Sequence, residues 1–195
     1  MSEPSPGQPS DDHDAALARR VAEGSRAAHA QLVEEHQAPV FRFARSLAPD
    51  DATAEDIVQE TFLAAIRGAH GFRADGTLRG WLFTIARRLA HRQRPREVAV
   101  PEDDELEALG RAAGWGATDD PEARLSEQEQ RTRVARVLCS LSEDEREILG
   151  LRDVEGLSGP ETAAALGLGL AAMKSRLHRA RLRFAAALRS EVRDD

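Results

Sequence analysis

The chain has 195 residues, with 27 lysines and arginines against 34 aspartates and glutamates, and its formal net charge is -7. This length allows one domain or two small ones, and no window approaches the roughly 18 continuous apolar residues of a membrane span. The one cysteine, Cys139, excludes an internal disulfide and fits a reducing cytosol. Aromatic residues make up only 4% and β-branched runs are scarce, so the composition predicts an all-α fold.

The first 14 residues are acidic and rich in Pro and Ser, and they lack the basic and apolar parts of a signal peptide. We predict that residues 1–14 form a disordered acidic tail and that the protein is cytoplasmic. Helical spacing of apolar residues begins near Asp14. It is interrupted around Gly24 and Pro39, where a proline is expected to kink or restart a helix.

A turn at residues 49–51 precedes a helix that is predicted to start at Thr53, as N-cap, and to end at Gly68. One face of this helix is apolar, and the other carries Asp56, Gln59, Glu60 and Leu63. A loop over residues 71–77 leads to a helix from about Leu78 to Arg92. The segment 77–96 holds six arginines and no acid, whereas residues 97–129 are strongly acidic.

The C-terminal part of the sequence marks the starts and ends of its helices more clearly than the N-terminal part does. A helix is predicted from about Pro121 to Ser140, and capping boxes at Ser142-x-x-Glu145 and Ser158-x-x-Glu161 open two more. Gly167 ends the second of these, and the last helix follows with the apolar stripe Leu170, Met173, Leu177, Ala180, Phe184 and Leu188. The last helix is also rich in Lys and Arg and is entered through a tight turn. This combination is typical of a DNA-reading helix-turn-helix.

Two segments carry a family resemblance. Residues 54–90, AEDIVQETFLAAIRGAHGFRADGTLRGWLFTIARRLA, resemble region 2 of the extracytoplasmic function (ECF) sigma factors, whose pattern reads DAEDLVQETF and then FRAWLYRIARN. Residues 141–181 resemble region 4 of the same family. The resemblance implies a two-domain all-α sigma factor that binds core RNA polymerase and directs promoter-specific initiation. Its expected parts are a region 2 domain at 15–96, a flexible acidic linker at 97–122 and a region 4 domain at 123–192.

The resemblance assigns the polar face of the first matched helix to polymerase. Asp56, Gln59, Glu60 and Leu63 would dock on the clamp helices of the β′ subunit, and the region 4 domain would touch the β flap. Taken alone, such a face is more often a solvated helix surface. The linker would thread near the polymerase active-site cleft, where its acids could imitate nascent RNA.

The loop and the arginine helix would hold the melted −10 strand, which requires cations for phosphates and a pocket for an unstacked base. The residues concerned are Phe72, Arg73, Asp75, Thr77, Arg79, Trp81, Arg87, Arg88 and Arg92. Trp81 is open to two interpretations, as a stacking surface or as core. Arg88 replaces a usual Asn and Arg92 falls near a common Asp, which leaves the base preference open.

The first turns of the last helix would enter the −35 major groove, where Arg and Lys read guanine edges or phosphates and Ala meets thymine methyls. The residues concerned are Ala171, Ala172, Lys174, Ser175, Arg176, His178 and Arg179. Gly169 stands where Ser often caps this helix, and Ala172 where Thr is common. Arg181, Arg183 and Arg189 lie too far along to reach bases.

No catalytic motif, cofactor loop or metal-ligand spacing is present in the sequence, so we expect no enzymatic activity, no cofactor and no metal. The expected partners are core RNA polymerase, promoter DNA and an anti-sigma factor. One alternative is a DNA-binding regulator that uses only the C-terminal helix-turn-helix. Another is a helical interaction bundle, which would leave the basic segments unexplained.

Overall fold

The computed structural model describes residues 11–72, 76–93, 134, 136–138 and 140–193. Within these ranges the chain consists of helices and turns without a strand, which confirms the all-α prediction. The acidic linker and the first ten residues lie outside the described residues, as does most of the helix predicted from Pro121 to Ser140. The described end of that helix buries Val137, and Leu141 beyond it is buried as well.

Four helices form the N-terminal group: α1 (Asp11–Ala22), α2 (Arg26–Leu47), α3 (Asp51–Gly68) and α4 (Leu78–Gln93). Gly24, with φ of 78°, separates α1 from α2, and the Ser25 hydroxyl caps α2 by accepting from the Ala28 amide at 3.3 Å. A 3-10 turn, Ala69–Gly71, follows α3. The helices α2, α3 and α4 pack on one another, and α1 lies across α2 and the 3-10 turn.

Helix α1 corrects the predicted boundary of the N-terminal tail. It begins at Asp11, so residues 11–14 are helical rather than part of the tail. The reason is a tertiary contact that the local composition does not reveal. Asp14 is buried, and its Oδ2 accepts a hydrogen bond from the Leu78 amide at 2.7 Å. It thereby satisfies an amide of the first turn of α4 that the helix itself leaves without a partner.

Two other local predictions need correction. Of the two outcomes predicted for Pro39, a restart does not occur: α2 continues through the proline, and the buried residues His36 and Val40 on both sides hold the helix against its neighbours. The N-cap of α3 is Asp50 rather than Thr53, since the Asp50 Oδ1 accepts from the Thr53 amide at 2.7 Å.

The C-terminal group contains α5 (Glu143–Leu149), a π-helical turn (Gly150–Val154), α6 (Gly159–Leu166) and α7 (Leu170–Arg193). Both predicted capping boxes are present, at Ser142 and at Ser158. Gly167 ends α6 in the left-handed region, with φ of 66°. Leu170 departs from the predicted apolar stripe: it is the first residue of α7 and is 43% exposed.

The two groups pack against each other, α4 against α6 and α2 against α5 and the π-helical turn. Their buried apolar residues form one contiguous cluster. Gly80 of α4 faces α6: a Cβ there would lie 3.6 Å from Glu161 Oε1, an ordinary van der Waals distance, and 3.3 Å from Thr77 Oγ1.

His36 gives the N-terminal group a pH-dependent stability. Burial lowers the pKa of His36 below its usual 6.5, more than the neighbouring Asp14 carboxylate raises it. The folded chain then binds fewer protons than the unfolded chain as the pH falls through this range, so the free energy of unfolding decreases. We expect the urea midpoint to drop between about pH 7.5 and 5.5, and His36→Gln to flatten that drop. Replacement of the exposed His70 by Gln should leave it unchanged, and an unaltered slope in His36→Gln would contradict this account.

Candidate functional site

The face of α3 predicted to bind polymerase is open to solvent. Asp56, Gln59, Glu60 and Leu63 are all exposed, at the i, i+3, i+4 and i+7 spacing that aligns side chains along one helix face. Leu63 is a large apolar side chain, yet it is 44% exposed, whereas the apolar residues on the other face of α3 are buried. The structure therefore brings these four side chains together as one surface.

The loop before α4 is anchored by aromatic packing. The Phe72 and Trp81 rings lie 5.5 Å apart at 55°, and Trp81 also contacts the Gly68 position at the end of α3. Both side chains are partly buried, so Trp81 joins the core on one side and reaches solvent on the other. Arg73 and Asp75 lie outside the described residues.

The cations of α4 fall into two sets. Arg88 and Arg92 are exposed. Arg79 and Arg87 instead pair with acids of the C-terminal group. Arg79 Nη2 donates to Glu155 Oε2 at 2.6 Å, and Arg87 Nε donates to Glu147 Oε2 at 3.0 Å. Arg79 also lies over the Phe83 ring, 5.5 Å from its centre.

Acidic residues of the C-terminal group pair with these cations. The sequence alone did not indicate a functional role for them. Glu147 is 0% and Glu155 3% exposed, and Glu155 also accepts two hydrogen bonds from Arg42, at 3.0 and 3.1 Å. Glu161 accepts a hydrogen bond from the Thr77 hydroxyl. Burial alone would raise the pKa of Glu161, but hydrogen bonds from Ser158 and Thr77 outweigh it and lower that pKa.

One further cluster spans the same boundary. His91 Nε2 lies 2.6 Å from Glu147 Oε1, and His91 Nδ1 lies 3.4 Å from Glu143 Oε1. Among the described residues this is the group whose ligand atoms come close enough to consider a metal ion. The two ring nitrogens point to different carboxylates, however, and one ion is bound through one nitrogen. The arrangement is that of a histidine bridging two acids.

The first turns of α7 are open to solvent. Ala171, Ala172, Lys174, Ser175, His178 and Arg179 are exposed. Arg176 is half-buried and lies 3.1 Å from Asp144. The Met173 amide donates to the Gly169 carbonyl at 2.9 Å, so Gly169 is the N-cap position of α7 and offers no side-chain oxygen there. The face contains small apolar, hydroxyl and cationic groups, which suit base edges and phosphates.

The later cations of α7 pair within the C-terminal group. Arg181 Nε donates to Asp153 Oδ2 at 2.9 Å, and Arg183 pairs with Glu145. Both pairs fix α7 against α5 and the π-helical turn.

Comparisons with known proteins match both halves of the chain. Residues 32–98 match the family Sigma-70 region 2, and residues 131–184 match Sigma-70, region 4. Within the described residues, none of the helices has the length and apolar character that a bilayer crossing requires.

Individual relatives agree with the two family matches. The RNA polymerase sigma factor CnrH of Cupriavidus metallidurans is 35% identical, over 91% of this chain and 95% of its own. A solved structure of CnrH with the cytosolic domain of CnrY superposes with a TM-score of 0.65, at 32% identity over 91% of this chain and 97% of that one.

The ECF RNA polymerase sigma-E factor of Escherichia coli is 32% identical, over 86% of this chain and 90% of its own. RpoE of Bartonella quintana, solved in complex with the anti-sigma factor NepR, has a TM-score of 0.55 at 27% identity, over 78% of this chain and 91% of that one. The chain therefore belongs to the ECF class of RNA polymerase sigma factors, and it directs promoter-specific transcription initiation together with RNA polymerase.

Proposed function

We propose that residues 11–96 form the domain that binds core polymerase and the −10 element, and that residues 123–192 form the domain that reads the −35 element. The single observation that carries this division is the pair of solvent-open faces on separate helical groups, one on α3 and one on the first turns of α7. Residues 97–122 would connect the two domains.

In this proposal Leu63 is the apolar anchor of the polymerase contact, and Asp56, Gln59 and Glu60 surround it with acceptors for cationic side chains. An exposed apolar residue ringed by polar groups is typical of a protein-binding patch. The β′ clamp helices are the partner that the family resemblance gives for this face, and the β flap is the partner for the C-terminal domain.

The −10 strand would run along α4, where Arg88 and Arg92 are available to phosphates. Arg79 and Arg87 would become available once their pairs with Glu155 and Glu147 are broken. The loop at Phe72–Thr77 would receive one unstacked base, with Trp81 supporting it. The −35 element would meet Ala171, Ala172, Lys174, Ser175, Arg176, His178 and Arg179, which lie on the first three turns of α7.

The proposed setting is the cytoplasm, where the chain would itself catalyse no reaction and RNA synthesis would belong to polymerase. Two solved relatives bear on regulation: CnrH was solved in complex with the cytosolic domain of CnrY, and RpoE in complex with the anti-sigma factor NepR. We infer that an anti-sigma factor holds this chain as well.

Run-off transcription with core polymerase and a genomic promoter library tests the proposed function. The chain is expected to yield discrete promoter-specific transcripts that core polymerase alone does not give. Lys174→Ala and Arg179→Ala should each lower transcription from promoters with a −35 element by about tenfold, since a good base contact contributes about 1–3 kcal/mol. Arg189→Ala is the matched control, because Arg189 lies on the last turns of α7. DNA binding without transcripts would favour the regulator that acts without polymerase.

A further inference from the structure

One cation beside the DNA-reading face of α7 has a carboxylate partner. Arg176 Nη2 lies 3.1 Å from Asp144 Oδ2, so the first turn of α5 contacts the second turn of α7. The Arg176 side chain is 26% exposed. Lys174 and Arg179, which are also proposed to meet the −35 element, are exposed. The guanidinium of Arg176 is therefore held in place more closely than the charged groups of these two neighbours.

An arginine that is held in place is suited to reading a base edge. An unrestrained arginine samples many rotamers, and their loss on binding lowers the affinity. A guanine presents its N7 and O6 acceptors at one place in the major groove, so a guanidinium that is already positioned loses less freedom when it binds them. Phosphates lie all along the DNA backbone and require no such placement. The restraint on Arg176 therefore favours a base contact.

The position of Arg176 on α7 directs its side chain toward the proposed groove. Helical side chains lean toward the N-terminus of their helix, so Arg176 extends over the preceding turn, where Ala172 lies. Ala172 is small and exposed, and it precedes Arg176 by four residues on the same side of the helix. The contact with Asp144 is made by Nη2, and an arginine has further N–H donors on Nη1 and Nε for a second partner.

The contact with Arg176 also accounts for the place of Asp144. Ser142 and Glu145 form the capping box of α5, so the start of that helix does not depend on Asp144. The Asp144 side chain is 59% exposed, and an exposed ion pair adds little to stability. A carboxylate at the edge of a DNA-binding face also repels phosphates. Its contribution is therefore better sought in the orientation of Arg176 than in stability or in affinity for DNA.

We propose that Asp144 is a positioning residue for promoter recognition: it orients Arg176 so that this guanidinium reads a guanine of the −35 element through its N7 and O6 atoms. This inference rests on the proposed function, because it requires the first turns of α7 to lie in the −35 major groove. Arg176 then sets the preference at one base pair, and Asp144 determines how strict that preference is.

The test uses the full-length chain with core polymerase, on a promoter found in the run-off experiment whose −35 element has been randomised. Sequencing of the transcripts gives the base preference at each position. The variants are Arg176→Ala, Asp144→Ala and the two combined. Asp153→Ala is the matched control, because it removes a carboxylate that pairs with Arg181, an arginine of α7 that lies too far along the helix to reach bases.

The wild type should prefer guanine at one position of the element by about tenfold to a hundredfold. Arg176→Ala should erase that preference and leave the others. Asp144→Ala should lower it about fivefold, which is the upper range for an exposed ion pair. The double variant should match Arg176→Ala, since Asp144 acts only through Arg176. Asp153→Ala should keep all wild-type preferences.

A second measurement separates lost orientation from lost folding. Fluorescence anisotropy gives the affinity for a fluorescein-labelled DNA duplex of random sequence. Asp144→Ala should bind this duplex at least as tightly as the wild type, because a negative charge has been removed. Weaker binding would mean that Asp144 supports the fold of the domain, which contradicts a positioning role.

Other results would also overturn the proposal. An unchanged guanine preference in Asp144→Ala would exclude the positioning role, and so would an equal loss at every position of the element. If Arg176→Ala lowered transcription evenly across all sequences, Arg176 would contact phosphate and would not read guanine. When the positioning role alone is wrong, Lys174→Ala and Arg179→Ala still lower transcription. When the proposed −35 role of α7 is wrong, those two variants transcribe as the wild type does.

Discussion

Replacing Asp56 by arginine is expected to weaken the binding of core RNA polymerase by about a hundredfold, since like charges across an interface cost several kcal/mol. In the proposed complex this face meets the β′ clamp helices, and its carboxylates suit cationic partner side chains, so the substitution turns an attraction into a repulsion. Asp56 is exposed on α3. Its replacement should therefore leave the fold intact, and the binding constant can be measured by titrating labelled chain with core polymerase.

Glu34→Arg provides the control for this experiment. Glu34 is exposed on α2, outside the proposed face, and the substitution changes the net charge by the same amount. Gln59→Ala should show a smaller loss than Asp56→Arg, because it removes a contact without adding a repulsion. If Asp56→Arg and Glu34→Arg bind polymerase equally well, the assignment of the face to polymerase is wrong.

Phe83→Ala is expected to cost the N-terminal domain about 3–5 kcal/mol of its free energy of unfolding. Phe83 is fully buried, and its ring meets the Phe43 ring edge to face at 5.2 Å. Truncation would leave a cavity between α2 and α4 that the aromatic partner cannot fill. Since small domains have only about 5–15 kcal/mol of stability, much of the margin would be lost.

Urea unfolding followed by circular dichroism measures this loss. Phe83→Leu should cost less, because leucine fills part of the same space. Leu182→Ala, which truncates an exposed leucine of α7, should stay within about 0.5 kcal/mol of the wild type. A Phe83→Ala variant as stable as Leu182→Ala would show that the aromatic contact does not form the core of this domain.

Local chemistry accounts for the elements that the sequence predicted well. The capping boxes at Ser142 and Ser158 need only a hydroxyl and a carboxylate three residues apart, and Gly167 needs only the freedom to take a positive φ. The start of α4 was also placed correctly, at Leu78. These features depend on neighbours in the chain, and a single sequence contains that information.

Two of the predictions failed where a distant partner decides the local structure, whereas the N-cap of α3 was misplaced within its own turn. Pro39 predicts a kink or a restart because proline removes one helical hydrogen bond, yet tertiary packing on both sides keeps α2 continuous. From the sequence alone Asp14 is predicted to belong to an acidic tail, because its partner, the Leu78 amide, lies 64 positions away. Periodicity and composition carry no trace of such a partner.

The predictions for the candidate site also divide into features that local spacing determines and features that a distant contact determines. Exposure of the α3 face and of the first turns of α7 follows from amphipathic spacing, which the sequence contains. The pairing of Arg79 and Arg87 with Glu155 and Glu147 does not, because it arises from how two domains pack. The sequence marked these arginines as cations for DNA and offered no sign that acids of the same chain would reach them first.

The hydrogen bond from Asp14 to the start of α4 has a consequence for how the protein can be divided. The Sigma-70 region 2 match begins at residue 32, beyond α1. A fragment cut to that match would lose Asp14, and the amide of Leu78 would have to find water at a buried position. The start of α4 would then be less well ordered, and residues 26–31 of α2 would be missing as well. Weak binding of a −10 strand by such a fragment would therefore report on the missing N-terminal residues and not on α4. Helices α1 and α4 are therefore one structural unit, and a fragment of this protein should contain both.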